Sequence, residues 1–275
     1  MKRIVAALVA GVCLLTACGS DAEKAGARLE KARAYLERGD FFSARNEIDS
    51  VRALYPKEVD ALKQALALMR RVDLGESERN VAYCDSLLPI RTEEAEALKK
   101  GFVFEKDPDY QEIGNYIWKQ QTIERNVQRC YIRCGVDERG EMYLASVYFG
   151  GRAINHTGLK LSVKGDLFAE TASVPYDGGL NYRFKDMGNT TEVVTYKGDA
   201  GRDAVQFIYD HAGERIKAEY TGGKPYIIYI AEGDKKALTA TYNLATVLSD
   251  IERLKTEKQK AEKKQAYLKA KLGDN

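Results

Sequence analysis

Residues with the chemistry for catalysis are few in this chain and stand apart. There are two histidines, His156 and His211, among 275 residues. A serine or cysteine nucleophile needs a histidine base within reach, and neither histidine adjoins a nucleophile motif. Zinc-protease, phosphate-loop and dinucleotide-binding patterns do not occur, while paired carboxylates for glycoside hydrolysis depend on spatial separation and stay open. The sequence predicts no catalytic, cofactor-binding or metal-ligating residue, and a protein that is not an enzyme.

Three cysteines, Cys84, Cys130 and Cys134, lie in the body of the chain. An odd number argues against a complete disulfide framework. Cys130 and Cys134 are four positions apart in a predicted strand, which separates their α-carbons by roughly 13 Å. A disulfide needs less than about 7 Å. We therefore expect buried structural thiols, without a disulfide or a metal.

The N-terminus carries the pattern of an export signal. Lys2 and Arg3 precede an apolar stretch over residues 4–15. As a helix this stretch would span roughly 18 Å, well short of the roughly 30 Å hydrocarbon core of a membrane. The pattern indicates a signal peptide and not a permanent membrane span.

The sequence Leu15-Thr16-Ala17-Cys18 follows directly: an aliphatic residue, two small residues and a cysteine. It resembles the lipobox of bacterial lipoproteins. The resemblance implies that residues 1–17 are removed, that Cys18 receives acyl chains such as palmitate, and that these hold the protein on a membrane surface. Gly19 stands where an inner-membrane retention aspartate would be, which favours the outer membrane and leaves periplasmic or surface exposure open. A plain secretory cleavage site is the alternative.

Composition fits a globular protein, with 44% hydrophobic and 31% charged residues. Loss of Lys2 and Arg3 with the signal peptide lowers the formal net charge from +2 to zero. A neutral chain has no overall electrostatic footprint for nucleic acid. We expect a membrane contact through the lipid, an envelope protein as partner, and no nucleic acid.

Residues 18–100 show helical periodicity. One stretch resembles a tetratricopeptide repeat, with small, aromatic, turn and terminating residues in order at Ala32, Tyr35, Gly39-Asp40-Phe41, Ala44 and Pro56. A second, poorer helix pair would turn at Asp73-Leu74-Gly75 and end near Pro89. The resemblance implies antiparallel helical hairpins, which either bind a protein or cap the remaining chain.

Residues 101–231 switch to period two and hold 12 of the 17 tyrosines. Short Gly-rich turns separate ten predicted strands: Tyr110–Lys119, Val127–Val136, Glu141–Phe149, Leu159–Lys164, Leu167–Val174, Asn181–Lys185, Thr191–Tyr196, Ala204–Tyr209, Arg215–Tyr220 and Tyr226–Ile230. Short connections join antiparallel neighbours, and so many strands predict an antiparallel sandwich or half-barrel. One sheet face is expected to carry Tyr, Ser and Thr, either for a ligand or as ordinary strand formers.

Residues 232–275 predict a long helix with a coiled-coil heptad pattern, at Leu244, Val247, Ile251, Leu254, Ala261, Leu268 and Leu272. Lys258 and Gln265 occupy two seam positions. The helix is therefore expected to pack as far as Leu254 and then to project as a solvated basic tail. Such a tail either touches anionic lipid or an acidic partner, or is kept soluble by its lysines.

Together these regions predict an α+β protein: N-terminal helical hairpins, an antiparallel β domain of about ten strands and a long C-terminal helix. The chain resembles the envelope lipoproteins of Gram-negative bacteria of the Bacteroidota type, a resemblance that implies a location and no activity. Our first hypothesis is a membrane-anchored, non-enzymatic protein-binding or scaffold module. The alternative is binding of a small ligand, such as a glycan or peptidoglycan fragment, by the tyrosine-rich β domain.

Overall fold

The structure, a computed structural model, describes residues 20–273 and confirms the α+β class. The predicted signal peptide and Cys18 lie outside the described residues. Among residues 20–273, no helix combines the length and the apolar character needed to cross a membrane. The described chain divides into two compact units: a helical unit of residues 20–82 and 259–273, and a β unit of residues 83–258.

The helices are α1 (Asp21–Glu37), α2 (Phe41–Leu54), α3 (Val59–Lys99), α4 (Arg202–Asp210) and α5 (Glu232–Gly273). The strands are β1 (Phe102–Glu105), β2 (Asn115–Trp118), β3 (Tyr131–Asp137), β4 (Met142–Gly150), β5 (Gly158–Ser162), β6 (Phe168–Glu170), β7 (Asn181–Asp186), β8 (Asn189–Lys197), β9 (Lys217–Thr221) and β10 (Tyr226–Tyr229).

The first predicted hairpin of the helical unit is present as α1 and α2. Gly39 has φ +72°, a left-handed conformation that glycine adopts without steric cost, and it ends α1. Asp40 then caps α2 by accepting a hydrogen bond from the Ser43 N–H at 3.1 Å. The buried core of this unit is formed by Ala25, Leu29, Ala32, Ala44, Ile48, Val51, Ala65, Leu68 and Val72.

The second predicted hairpin is wrong, because α3 runs without a break from Val59 to Lys99. Gly75 does not form a turn: a Cβ atom there would lie 2.5 Å from ring carbons of Phe41, so the glycine permits close helix packing. Pro89 lies inside the helix on an exposed face. It removes one backbone donor without ending α3.

The prediction that α5 projects into solvent beyond Leu254 is also wrong. Ala261 and Leu268 are buried, and the tail forms ion pairs with α3 inside the helical unit. Lys264 lies 3.1 Å from Asp73, and Lys269 lies 3.5 Å from Glu78. The heptad positions Ala261 and Leu268 are buried as the pattern indicates. The prediction of a solvated tail considered only the charges of the tail itself, whereas acidic side chains on α3 pair with its lysines.

The β unit contains two antiparallel sheets, one of six strands in the order β1-β2-β3-β4-β8-β7 and one of four in the order β10-β9-β5-β6. They pack face to face as a sandwich. The shared core holds Ile132, Leu144, Val194 and Tyr196 from the larger sheet, and Leu159, Leu161, Ala218 and Tyr220 from the smaller one. Within this unit, α5 also packs on the larger sheet through Leu244, Val247, Leu248 and Ile251.

Nine of the ten predicted strands are present with shifted ends, and the segment Ala204–Tyr209 is a correction. It lies in α4, where Ala204 and Ile208, four residues apart, are both buried in the core. Its β-branched and aromatic residues favour a strand locally, but burial at helical spacing decides the outcome. Strand β1 was not predicted; it is only four residues long.

The three cysteines are free thiols, as predicted. Cys84 and Cys134 are buried, whereas Cys130 is partly exposed and precedes β3. The Sγ atom of Cys134 lies 3.3 Å from Thr241 Oγ1. Burial raises the pKa of the Cys134 thiol to about 12, so this side chain is an unreactive packing group.

Candidate functional site

Two polar sites lie on opposite faces of the six-stranded sheet, and the first is a closed network in the sandwich core. Ser146 Oγ lies 2.9 Å from His156 Nε2, and His156 Nδ1 lies 2.8 Å from Glu192 Oε2. These distances match those of a nucleophile, base and orienting carboxylate. Sequence motifs gave His156 no such partners, because the pairing of β4 with β8 brings together residues that are far apart in the chain.

The network has no surface open to a substrate. The exposed fractions are 0% for Ser146, 1% for His156 and 2% for Glu192. Ser146 Oγ also lies 3.0 Å from the Tyr196 hydroxyl, and the His156 ring stacks on Tyr220 with centroids 4.9 Å apart. Every member of the network therefore has its hydrogen-bonding capacity taken up by another buried group.

Glu192 is the centre of this network. Its carboxylate accepts hydrogen bonds from the backbone N–H groups of Ile154, Asn155 and His156, at 2.8, 2.9 and 3.2 Å. Burial raises the pKa of Glu192, but the hydrogen bonds from the His156 ring and these backbone groups outweigh it, so the pKa is below its ordinary value. The charged carboxylate fixes the segment that leads into β5.

The second site is a groove on the opposite face of the same sheet, which we call the aromatic groove. Its volume is about 210 Å³. Aromatic and aliphatic side chains from alternate positions of β3, β4, β8 and β7 form its floor: Tyr131, Val147, Phe149, Val193 and Tyr182. A predominantly apolar pocket with a few polar groups is the usual form of a small-molecule site.

Arg133 is the charged group of the floor. It is partly buried, and its Nε atom is buried without a hydrogen-bond partner in the part of the chain that the structure describes. No carboxylate lies within ion-pair distance of Arg133 among the residues that the structure describes, whereas the nearby Arg129 forms an ion pair with Asp234. The groove floor thus contains a positive charge without a carboxylate partner among the described residues.

Tyrosines surround this guanidinium. Burial lowers the pKa of Arg133, but the adjacent phenol groups of Tyr143, Tyr131 and Tyr182 outweigh it and raise the pKa above its ordinary value. Burial likewise raises the pKa of Tyr131 and of Tyr143, which keeps both phenols neutral. The charge of the floor is therefore positive at any physiological pH.

The rim of the groove exposes large apolar side chains. The exposed fractions are 57% for Ile123, 65% for Val127, 52% for Phe184 and 92% for Met187. Met187 has φ +46° in the two-residue turn between β7 and β8, followed by Gly188 at φ +83°. Such turns favour Asn-Gly, and a left-handed conformation at a non-glycine residue costs roughly 1–2 kcal/mol. An apolar side chain thus stands in solvent beside the groove at a cost to stability.

A wider depression of about 670 Å³ shares Arg133 with the groove and is also lined by Tyr143. Its remaining lining is largely charged and polar, including Glu105, Lys106 and Asp107. The aromatic groove differs from this depression because its floor combines apolar contact with one partly buried charge, Arg133.

The sequence pattern predicted Tyr, Ser and Thr on one sheet face, and the open face carries Tyr131, Tyr143, Tyr182 and Thr191. It missed Arg133. The signal for that residue was present: an arginine at an alternate position of an otherwise apolar strand segment. His211, the other histidine, lies 2.6 Å from Glu214 at the end of α4 and belongs to neither site.

Comparison with known proteins gives this chain no family: no family model matches it, and neither does any curated protein or solved structure. Its function has to be inferred from its own sites.

Proposed function

We propose that this chain is a lipid-anchored protein of the bacterial envelope that acts by binding and not by catalysis, with the aromatic groove as its binding site. The observation that carries the proposal is the groove itself, an apolar floor of about 210 Å³ around the incompletely satisfied Arg133. Buried polar groups in folded proteins are almost always hydrogen-bonded. Arg133 is an exception of this kind whose residue also lines an accessible apolar groove, which favours an external partner for its guanidinium.

The buried network supports the absence of catalysis. A nucleophile has to reach its substrate, and Ser146 is 0% exposed while already bonded to His156 and Tyr196. The triad-like distances are explained by the need to satisfy buried polar groups. The groove, by contrast, contains no histidine, serine or cysteine among its lining residues.

A photo-crosslinking residue tests the binding proposal in intact cells. Placed at Phe184 on the groove rim, it should form a discrete adduct, visible as a protein band or as a small mass increase. Tyr267, which is 64% exposed on α5, is the matched control position and should give no such product. Identical products at both positions, or none at Phe184, would contradict the groove as a binding site.

The anchor is tested separately. Changing Cys18→Ser removes the acyl acceptor, and each buried acyl methylene contributes about 0.8 kcal/mol to membrane affinity. The variant should incorporate no labelled palmitate and should leave the membrane fraction, while Cys130→Ala stays attached. Palmitate labelling of the Cys18→Ser protein would remove the anchor from the proposal.

A protein partner on the helical unit is the second candidate. It is favoured by large exposed apolar side chains there, with exposed fractions of 74% for Phe42, 60% for Val59 and 56% for Leu66. In crosslinked envelopes, a partner bound at this surface should be lost from a Phe42→Ser, Leu66→Ser double variant and retained by Phe184→Ser. The reverse result would assign that partner to the groove.

A further inference from the structure

We propose that the aromatic groove binds small organic carboxylates: the carboxylate pairs with Arg133 and an apolar, ring-sized body lies on the aromatic floor. This inference rests on the proposed function and names the ligand class of the same site.

The charge of the groove selects an anion. A partly desolvated guanidinium is costly unless a counter-charge and hydrogen bonds compensate it. Among the described residues that line the groove, Asp186 is the only acidic one, and it is exposed at the end of β7. A cationic ligand would be repelled by Arg133, and a neutral ligand would leave its charge uncompensated. A carboxylate matches the planar guanidinium fork and accepts two parallel hydrogen bonds.

The register of the strands places small residues directly across from Arg133. Arg133 pairs across the sheet with Ala145, and Ala145 pairs with Thr195. Both directly paired neighbours are small, and the nearest bulky side chain from β4 is Tyr143, whose phenol lies beside the guanidinium. The ligand head group would meet the guanidinium where Arg133 lines the groove, among the phenol groups of Tyr131, Tyr143 and Tyr182.

The adjacent row supplies the apolar contact. Tyr131, Val147, Val193 and Tyr182 are successive partners across β3, β4, β8 and β7. The two tyrosines thus flank two valines, which gives a flat floor between aromatic walls. The volume of about 210 Å³ is below the roughly 300–1,000 Å³ of pockets for drug-sized ligands. The groove therefore fits a compact ligand and not a polymer chain.

A pair of isosteric probes tests the inference. Naphthalene-2-carboxylate and its neutral analogue naphthalene-2-carboxamide are titrated by calorimetry into the full-length lipidated protein in nanodiscs, with empty nanodiscs as the blank. The carboxylate should bind at least tenfold more tightly than the carboxamide. Arg133→Gln should weaken carboxylate binding at least tenfold and change carboxamide binding less than twofold.

Two further variants separate charge from fold. Arg133→Lys keeps the charge but not the fork, and should give an intermediate carboxylate affinity. Arg183→Gln is the matched control, because Arg183 is an exposed arginine on β7 that stacks on Tyr176 and is not part of the groove; it should leave both affinities unchanged. If Arg133→Gln fails to fold, the ratio of carboxylate affinity to carboxamide affinity in the unmodified protein still tests whether the groove prefers a carboxylate.

Equal affinities of the unmodified protein for the two probes would overturn the inference, as would unchanged carboxylate binding by folded Arg133→Gln. Absence of binding by both probes would overturn it too. These failures are distinguishable from failure of the proposed function: equal binding that weakens in Phe184→Ala, or a crosslinked protein adduct at Phe184, retains the groove as a binding site and excludes only the carboxylate.

Discussion

Polar side chains on the two faces of the six-stranded sheet differ in how completely they are hydrogen-bonded. On the covered face, Ser146, His156 and Glu192 bond to one another and to nearby backbone groups. On the open face, Arg133 lies among tyrosines with a buried nitrogen that has no partner in the described chain. The difference teaches that catalytic-looking distances do not define a functional site. A charged side chain that lines an open groove without a counter-charge is the better guide, since closed networks serve the fold.

The strongest way to break this comparison is to remove Glu192. Glu192→Ala should lower the free energy of unfolding by about 3–5 kcal/mol, because three buried backbone N–H groups and His156 lose their acceptor. Arg133→Ala on the open face should cost less than about 1 kcal/mol, since it breaks no ion pair. Urea unfolding measures both. Similar losses for the two variants would erase the distinction between the faces.

The same carboxylate predicts an acid-sensitive component of stability. The pKa of Glu192 is lower in the folded protein than its ordinary value of 4.5. Its contribution to stability is therefore fully present above about pH 4.5 and is lost as the pH falls through the lower, folded-state value. Urea midpoints between pH 7 and pH 3 should show this component in the unmodified protein and lose it in Glu192→Gln. Parallel pH profiles would refute it.

Ser146 gives a smaller effect that sharpens the contrast with an enzyme. Ser146→Ala should lower the free energy of unfolding by about 1 kcal/mol, the usual contribution of a hydrogen bond. A serine-reactive fluorophosphonate should not label the native protein at this position, because Ser146 is fully buried. If the protein is labelled and the label is lost in Ser146→Ala, Ser146 on the covered face is a reactive nucleophile.

The smallest expected change is a gain on the open face. Met187→Asn should raise the free energy of unfolding by up to about 1 kcal/mol, because asparagine tolerates the left-handed conformation that the turn requires. The control Gly188→Ala should lower it, since Gly188 also has positive φ. Thermal and urea unfolding provide the comparison. Destabilisation by Met187→Asn would mean that the methionine serves the fold and not the rim.

The sequence was sufficient where one local pattern determined the structure. Alternating strands separated by Gly-rich turns predicted the β region, and Gly39 predicted the first helical turn. Prediction from the sequence failed where contacts with residues distant in the chain determine the local structure. Gly75 was predicted to form a turn, but in the structure the Phe41 ring occupies the space that a Cβ atom at Gly75 would need. Local propensity also favoured a strand over 204–209, where core burial at helical spacing produces α4.

The sites were less predictable than the fold. The covered network joins β4, β8 and the segment before β5, and only the strand register brings its members together. Arg133 is visible in the sequence, but its importance depends on small neighbours on two other strands, Ala145 and Thr195. Single-sequence patterns carry periodicity and turn chemistry, whereas cross-strand pairing that defines a groove is a property of the folded sheet.

Tyr220, a core residue of the smaller sheet, has a consequence for how fast the groove can be occupied. Its hydroxyl lies 3.2 Å from the carbonyl oxygen of Tyr131 and 3.0 Å from that of Val147. Those two residues pair with each other across β3 and β4 and carry floor side chains on the other face. The backbone beneath the floor is therefore held from the core side before any ligand arrives. Association should be a single kinetic step whose rate rises linearly with ligand concentration, because no rearrangement of the floor has to precede it.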